Sequence, residues 1–274
     1  MEIVPWERLM TSYGTAAEIP HLLAKWNDKS FKRIAELLEH QGTFWQATPW
    51  VVQWLVEHYP NYRDPQPIYH LFALLSKVLY WRMEKPGIPR LQDQKMLLNE
   101  ERLMPEKCSS EELEIFLEDY DISETEFGSY YYFTLQQIRR LIPLAQECLQ
   151  KDNSCRMSAS EFLEAINPKT FSATCVFYPK NKGGRTTLPD LFNEGYIPHL
   201  KLAGNETAYG IVIRAAEKPH FEQRLSVKIT CLYRDLLDYT PLLDAEEGQL
   251  YEGQNCVGNI NFQPIFINVK TRRF

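Results

Sequence analysis

The apolar residues of this chain change their spacing near residue 170, and this change restricts the folds that the chain can adopt. Residues 16–150 repeatedly place apolar side chains on one helical face, as in Leu135, Ile138 and Ile142. From residue 171 the pattern becomes short alternating runs separated by glycines, which is typical of strands. We therefore expect a helical half followed by a half made mostly of strands.

The dipeptide Asn167-Pro168 ends the last helical stretch, because the residue before a proline avoids helical dihedral angles. We predict an α+β multidomain protein with a helical domain over residues 1–168 and a small antiparallel β-barrel over residues 169–274. Short helices joined by short turns favour a stacked array of helical hairpins in the first domain. Helices are predicted over 5–13, 16–26, 29–40, 47–59, 65–84, 90–103, 109–119, 130–151 and 158–166.

The charge balance argues against a general affinity for nucleic acid or acidic membranes. The chain has 30 Lys and Arg residues against 36 Asp and Glu residues, a formal net charge of −6, so any contact with RNA must be local. No apolar run approaches the roughly 20 residues that cross a bilayer, and the start, MEIVPWERLM, lacks the apolar core of a signal peptide. We expect a cytoplasmic protein without a membrane partner.

The sequence contains no recognisable catalytic or cofactor motif. The six cysteines are scattered without a C-x-x-C pair, which predicts reduced structural thiols rather than a disulfide framework or a zinc site. The phosphate-binding pattern G-x-x-x-x-G-K-[ST] does not occur, so we expect no GTP binding. These observations predict a protein that is not an enzyme and that needs no cofactor.

Several short motifs near the start occur in an order known from a repeat family. They are Trp6-Glu7-Arg8-Leu9, Tyr13-Gly14, Ala16-Ala17-Glu18-Ile19-Pro20 and His40-Gln41-Gly42-Thr43. Over about residues 5–60 the chain resembles bacterial HEAT-repeat proteins, and the resemblance implies an α-solenoid without an enzymatic centre, in a family sometimes linked to toxin systems. We interpret Gly42 as the C-terminal cap of one helix and Thr43 as the start of the approach to the next.

A second series of motifs runs through the strand-rich half. It comprises Lys182-Gly183-Gly184-Arg185-Thr186-Thr187, Gly195-Tyr196-Ile197-Pro198-His199, Gly248, Tyr251-Glu252-Gly253 and Val257-Gly258. Over residues 171–262 the chain resembles the third domain of bacterial elongation factor Tu. The resemblance implies a small antiparallel barrel whose surface, in that family, touches the T stem of aminoacyl-tRNA, the nucleotide-binding domain and other partners.

Only some of the matching positions carry the same residue as that family. Glu252 and Gly253 match its tRNA-contacting region, but Tyr251 replaces an arginine and His199 replaces a glutamine, and the loss of basic contacts weakens binding to phosphates. We therefore predict a noncatalytic protein-binding protein, toxin-neutralising or regulatory, with a tRNA-binding accessory of translation as the alternative. A barrel turn kept for the fold alone is a third interpretation of Glu252 and Gly253. The candidate binding residues on the barrel are Lys182, Arg185, Tyr196, His199, Tyr251, Glu252 and Gly253.

An acidic stretch lies in the helical half, between residues 111 and 126, and it contains no Lys or Arg. Its field would attract a basic protein partner, although a solvated face explains the same composition. We take Glu111, Glu112, Glu114 and Glu118 as the candidate docking residues.

Overall fold

A computed structural model describes residues 4–25, 27–61, 64–83, 86–106, 111–112, 115, 122–151, 154–193 and 195–268. The chain forms two compact units, one from the residues up to 166 together with those from 266 onward, and the other from residues 167–265. The prediction assigned the whole of 169–274 to the barrel. The segment after residue 265 belongs instead to the first unit, for the reason given below.

Helices and very short strands form the first unit. The helices are α1 (Ile19–Lys25), α2 (Asp28–Leu38), α3 (Thr48–His58), α4 (Gln66–Arg82), α5 (Glu124–Arg139), α6 (Ile142–Gln150) and α7 (Arg156–Ile166); the strands are β1 (Met10–Thr11), β2 (Gly14–Thr15), β3 (Glu39–His40), β4 (Thr43–Phe44) and β5 (Ile88–Arg90). Two helix pairs, α1 with α2 and α6 with α7, are successive in the chain. The α3–α5 and α4–α7 pairs join helices distant in sequence, so their packing differs from that of successive hairpins.

A large part of the core of this unit lies between α4 and α7. The buried ring of Phe162 on α7 lies 5.8 Å from the ring of Tyr69 and 6.2 Å from that of Phe72, both on α4. Tyr69 and Phe72 are three positions apart and therefore share one helical face. The apolar periodicity from which α4 was predicted thus corresponds to this buried contact.

Two of the predicted helices are wrong, and a third, predicted over 130–151, is instead the two helices α5 and α6, which are separated at Arg140 and Leu141. The prediction over 5–13 falls on a 3₁₀ turn, Trp6–Arg8, followed by the β1–β2 hairpin. The prediction over 90–103 falls on the end of β5 and on two 3₁₀ turns, Gln94–Leu98 and Glu100–Arg102. Apolar residues in both segments are buried as in a helix, and short turns suffice to bury them. The helix predicted over 109–119 lies largely outside the described residues.

The segment His40-Gln41-Gly42-Thr43 forms a hairpin, not a helix cap. Helix α2 ends at Leu38, and β3 pairs with β4 across the turn. Gln41 and Gly42 have φ values of 51° and 73°, and two successive left-handed residues form the tight turn that matches the twist of paired strands. The role of Gly42 as a helix C-cap is therefore corrected to that of a hairpin turn residue.

The second unit is a closed antiparallel barrel, as predicted. Its strands are β6 (Thr170–Phe177), β7 (His199–Lys201), β8 (Tyr209–Arg214), β9 (Leu225–Cys231), β10 (Glu247–Glu252) and β11 (Asn255–Phe262), in the spatial order β10-β11-β6-β9-β8-β7 with β7 pairing back onto β10. On β9 the alternating residues Leu225, Val227, Ile229 and Cys231 are all buried. The predicted inward face of this strand is confirmed.

Asn167 anchors the start of the barrel unit. Its buried side-chain amide donates to the carbonyl oxygens of Arg234 and Leu237 at 2.6 and 2.9 Å, and its Oδ1 accepts from the backbone N–H of Tyr239 at 2.7 Å. The Arg234 guanidinium donates in turn to the Asn167 carbonyl oxygen. The predicted division after residue 168 separates Asn167 from the segment that it binds.

A last strand, β12 (Phe266–Asn268), runs parallel to β5 and pairs with it. The ring of Phe266 lies 5.3 Å from that of Tyr132 on α5, and the Arg90 guanidinium carbon lies 3.8 Å from the centroid of the same tyrosine ring. These contacts explain why the end of the described chain belongs to the helical unit.

Candidate binding site on the barrel rim

The three motif segments of the barrel lie at one end of it. They are the segment after β6, the segment before β7 and the turn between β10 and β11. Because β6 is antiparallel to β11 and β7 is antiparallel to β10, the end of β6, the start of β7 and the end of β10 lie at the same rim. The topology therefore brings sequence-distant candidates together.

The loop after β6 is fixed by its own backbone. Gly183 has a φ of 85°, and the N–H groups of Gly184 and Arg185 donate to the carbonyl oxygens of Pro179 and Tyr178 at 3.1 and 2.9 Å. A Cβ atom at Gly184 would lie 2.0 Å from the Tyr178 oxygen. The two glycines thus serve different purposes, since one supplies a left-handed turn and the other permits a close backbone approach.

Arg185 connects the three segments. Its guanidinium forms an ion pair with the carboxylate of Glu252, its Nε donates to the Thr187 carbonyl oxygen at 2.8 Å, and its guanidinium carbon lies 5.0 Å from the centroid of the Tyr196 ring. The Arg185 side chain is only 19% exposed. Its charge is therefore held against the protein's own carboxylate and aromatic ring.

Tyr196 is largely buried beneath this arginine. It exchanges two backbone hydrogen bonds with Ile213, and its ring lies 5.7 Å from that of Phe177. Burial raises the pKa of the Tyr196 hydroxyl to about 12, and the nearby Arg185 charge partly opposes that rise. Tyr196 therefore stays neutral at physiological pH and packs as part of the barrel.

Glu252 and Gly253 lie at the β10–β11 turn, where Glu252 pairs with Asn255. The side chain of Glu252 is 42% exposed. A Cβ atom at Gly253 would meet no atom within 4 Å, so this turn is open on its outer side.

His199 and Tyr251 are neighbours on the outer face. They are paired across β7 and β10, and the Lys201 ammonium nitrogen lies 4.9 Å from the centroid of the Tyr251 ring. Lys182 forms an ion pair with Glu222 on the other side of the loop. All seven barrel candidates thus belong to this end of the barrel, and the structure joins Arg185, Tyr196 and Glu252 directly.

A cleft of about 460 Å³ opens beside these residues. It is lined by Arg185, Pro189, Asp190, Asn193, Gly195, Tyr196 and Ile197, and we call it the rim cleft. The side chain of Ile197 is 62% exposed and that of Phe192 is 51% exposed. The Asp190 carboxylate accepts from the Phe192 N–H at 2.8 Å and from the Asn193 side chain at 3.1 Å, and these hydrogen bonds lower its pKa and hold the turn.

Sequence reasoning missed five residues of this rim: Asp190, Phe192, Ile197, Lys201 and Glu222. The sequence Asp190-Leu191-Phe192-Asn193 carries a usable signal, because an Asp side chain commonly accepts from the backbone N–H two residues on and so stabilises a turn. Lys201, which lies over the Tyr251 ring, and Glu222, which pairs with Lys182, are distant in sequence from the residues they contact, and no local pattern indicates them.

Two of the four acidic candidates lie within the described residues. Glu111 and Glu112 are exposed, whereas Glu114 and Glu118 lie outside the described residues. The part of the chain that the structure describes contains no cluster of three His, Cys, Asp or Glu side chains that fits a metal ion.

The comparisons with known proteins add no family to this description. No protein-family model matches the chain, and no curated protein is significantly similar to it. None of the helices in the described ranges combines the length and apolar character needed to cross a bilayer.

Proposed function

We propose that this chain is a noncatalytic binding protein that recognises another protein through the rim cleft and the apolar side chains beside it. The observation that carries the proposal is the pairing of charge with exposed apolar surface. Arg185 is held by Glu252, Ile197 lines the rim cleft together with Arg185, and both Ile197 and Phe192 are more than half exposed. Large side chains of this kind supply the anchor contacts of protein interfaces.

The paired cations count against the RNA alternative. Lys182 and Arg185 each form an ion pair with a carboxylate of the barrel. A phosphate competes with Glu222 or Glu252 for either charge, which reduces the electrostatic gain on which RNA binding depends. Residues 167–265 contain ten Lys and Arg against eleven Asp and Glu, so the barrel unit adds no net positive field.

The proposal includes the two resemblances. We infer that the barrel is similar to the third domain of elongation factor Tu, since the three motifs that carry the resemblance meet at Arg185, Tyr196 and Glu252. The HEAT-like character of the helical unit is supported by the successive α1–α2 and α6–α7 pairs. A toxin-neutralising or regulatory role is the concrete version that these resemblances favour, with the exposed Glu111 and Glu112 as a second contact for a basic partner.

A pair of matched variants tests the proposal. We expect Ile197→Asp to weaken binding of the copurifying protein by about 10-fold or more, as loss of an interface anchor does. Leu236→Asp is the control, because Leu236 is 67% exposed on the same barrel unit but does not line the rim cleft. Affinity is measured by surface plasmon resonance with purified full-length chains after circular dichroism has shown that both variants fold.

The same purification also tests the RNA-binding alternative. Copurifying material is analysed for both protein and RNA, and tRNA binding is measured across a salt series. The proposal is overturned if tRNA binds tightly at physiological salt, is unaffected by Ile197→Asp and is lost on Lys182→Gln and Arg185→Gln.

A further inference from the structure

Two cysteines of the helical unit lie against each other. Cys148 lies near the end of α6 and Cys155 directly precedes α7. Their Sγ atoms are 3.6 Å apart. The chain therefore holds two thiols in van der Waals contact, although no C-x-x-C spacing indicates it.

The two thiols differ in their exposure to solvent. Cys155 is 5% exposed, whereas Cys148 is half-buried, so a dissolved reagent reaches Cys148 first. Burial raises the pKa of the Cys155 thiol to about 11, so that thiol carries its proton at neutral pH. The Cys155 thiol releases this proton when its sulfur atom forms a bond to another sulfur atom.

Two tyrosine hydroxyls extend the cluster inward. The Tyr69 hydroxyl oxygen lies 3.5 Å from Cys148 Sγ, and the Tyr59 hydroxyl oxygen lies 2.6 Å from that of Tyr69. Burial raises the pKa of both tyrosines, that of Tyr59 to about 12. Both hydroxyls therefore remain neutral beside Cys148, and neither contributes a negative charge that would oppose its ionisation to the reactive thiolate.

We propose that Cys148 and Cys155 are a redox-active dithiol that a peroxide converts to an intramolecular disulfide. In the first step the Cys148 thiolate attacks one oxygen of hydrogen peroxide, the O–O bond breaks, and the products are a Cys148 sulfenic acid and hydroxide. In the second step Cys155 sulfur attacks the Cys148 sulfur, the S–O bond breaks, and the leaving hydroxide takes the thiol proton as water. The sulfur pair loses two electrons, and the peroxide gains them.

The geometry favours the second step over further oxidation. A disulfide bond is about 2.05 Å long, so the sulfur atoms need to approach by about 1.5 Å from their present separation. The approach requires rotation of the two side chains, and the α6–α7 packing keeps the two thiols together. A sulfenic acid formed on Cys148 thus has its resolving thiol already in contact.

The sequence around the pair allows a direct test. Trypsin cleaves after Arg140, Lys151 and Arg156, which places Cys148 and Cys155 in different peptides, 141–151 and 152–156. The full-length chain is treated with hydrogen peroxide, remaining thiols are blocked, and the non-reduced digest is analysed by mass spectrometry. We expect a linked pair of these two peptides that is two hydrogen atoms lighter than their sum and that separates on reduction.

Two variants make the result specific. Cys148→Ser abolishes the linked pair, whereas Cys256→Ser, which removes a half-buried thiol of the barrel, leaves it unchanged. The proposal is overturned if peroxide gives sulfinic or sulfonic acid on Cys148 without the linked pair, or if Cys148 and Cys155 remain unmodified while Cys256 reacts.

Discussion

Two buried cysteine thiols make the stability of the barrel depend on pH in the alkaline range. Cys175 and Cys231 point into the barrel core, where they are 0% and 5% exposed. Burial raises the pKa of each thiol to about 12 from an ordinary value of 9.0. The folded state therefore keeps protons that the unfolded chain releases, and its stabilisation by these groups is complete only below that ordinary value.

We expect the free energy of unfolding to fall as the pH rises from 9 toward 12, the interval between the two pKa values. Each thiol contributes a slope of about 1.4 kcal/mol per pH unit. Cys175→Ala removes one of these contributions, and Cys256→Ala is the control. Urea unfolding at several pH values measures the slopes, and a Cys175→Ala slope equal to that of the unmodified chain contradicts the prediction.

Residues at the candidate site differ in how far the sequence indicates them. Arg185, Tyr196 and Glu252 were candidates because each belongs to a motif on which the resemblance to the third domain of elongation factor Tu rests. The importance of Ile197 and Phe192 was not predicted, since their exposure depends on the fold of the segment before β7. Apolar side chains in a sequence are usually assigned to the core, and only the folded barrel shows that these two lie outside it.

At the level of elements, periodicity predicted helices correctly where one face is buried along several turns, as in α2, α3 and α4. It failed over 90–103, where Leu97 is buried from a 3₁₀ turn, and Leu91 and Leu103 are buried directly after β5 and after a second 3₁₀ turn. It also missed β12, because three residues are too few to show a period. The parallel partner of β12 lies far away in the sequence, so no local signal indicates the pairing.

The packing of β12 within the helical unit contributes to the stability of that unit. Phe266 is 8% exposed and packs on Tyr132, so we expect Phe266→Ala to lower the free energy of unfolding of the helical unit by about 3–5 kcal/mol. Ile267→Ala, at a neighbouring side chain that is 46% exposed, should change it by less than about 1 kcal/mol. Chemical denaturation followed by far-UV circular dichroism measures both, and equal effects would show that Phe266 does not anchor the strand.

For the whole molecule, the limits of the barrel unit determine which fragment is stable alone. Residues 167–265 form a unit with a closed sheet and its own core. The change of periodicity near residue 170 indicated this division to within a few residues. It did not indicate Asn167, whose contacts with the segment 234–239 arise only in the folded barrel.

We expect a fragment of residues 167–265 to fold on its own, with a β-rich circular dichroism spectrum. A fragment of residues 170–265 lacks the three buried hydrogen bonds of the Asn167 side chain and should be less stable by about 2–4 kcal/mol. Urea denaturation compares the two fragments, with Asn167→Ala in the longer one as a control. Equal stabilities would contradict the anchoring role of Asn167.

The pairing of β5 with β12 also fixes an order of events during biosynthesis. Ile88 leaves the ribosome about 180 residues before its partner Phe266. At about 5–20 residues per second, the intervening chain takes roughly 10–40 s to synthesise. Throughout that interval the edge of β5 that receives β12 lacks its native partner, which is an opportunity for a chaperone or for mispairing. The helical unit is the first to be translated, yet it reaches its native pairing only after the entire barrel has been made.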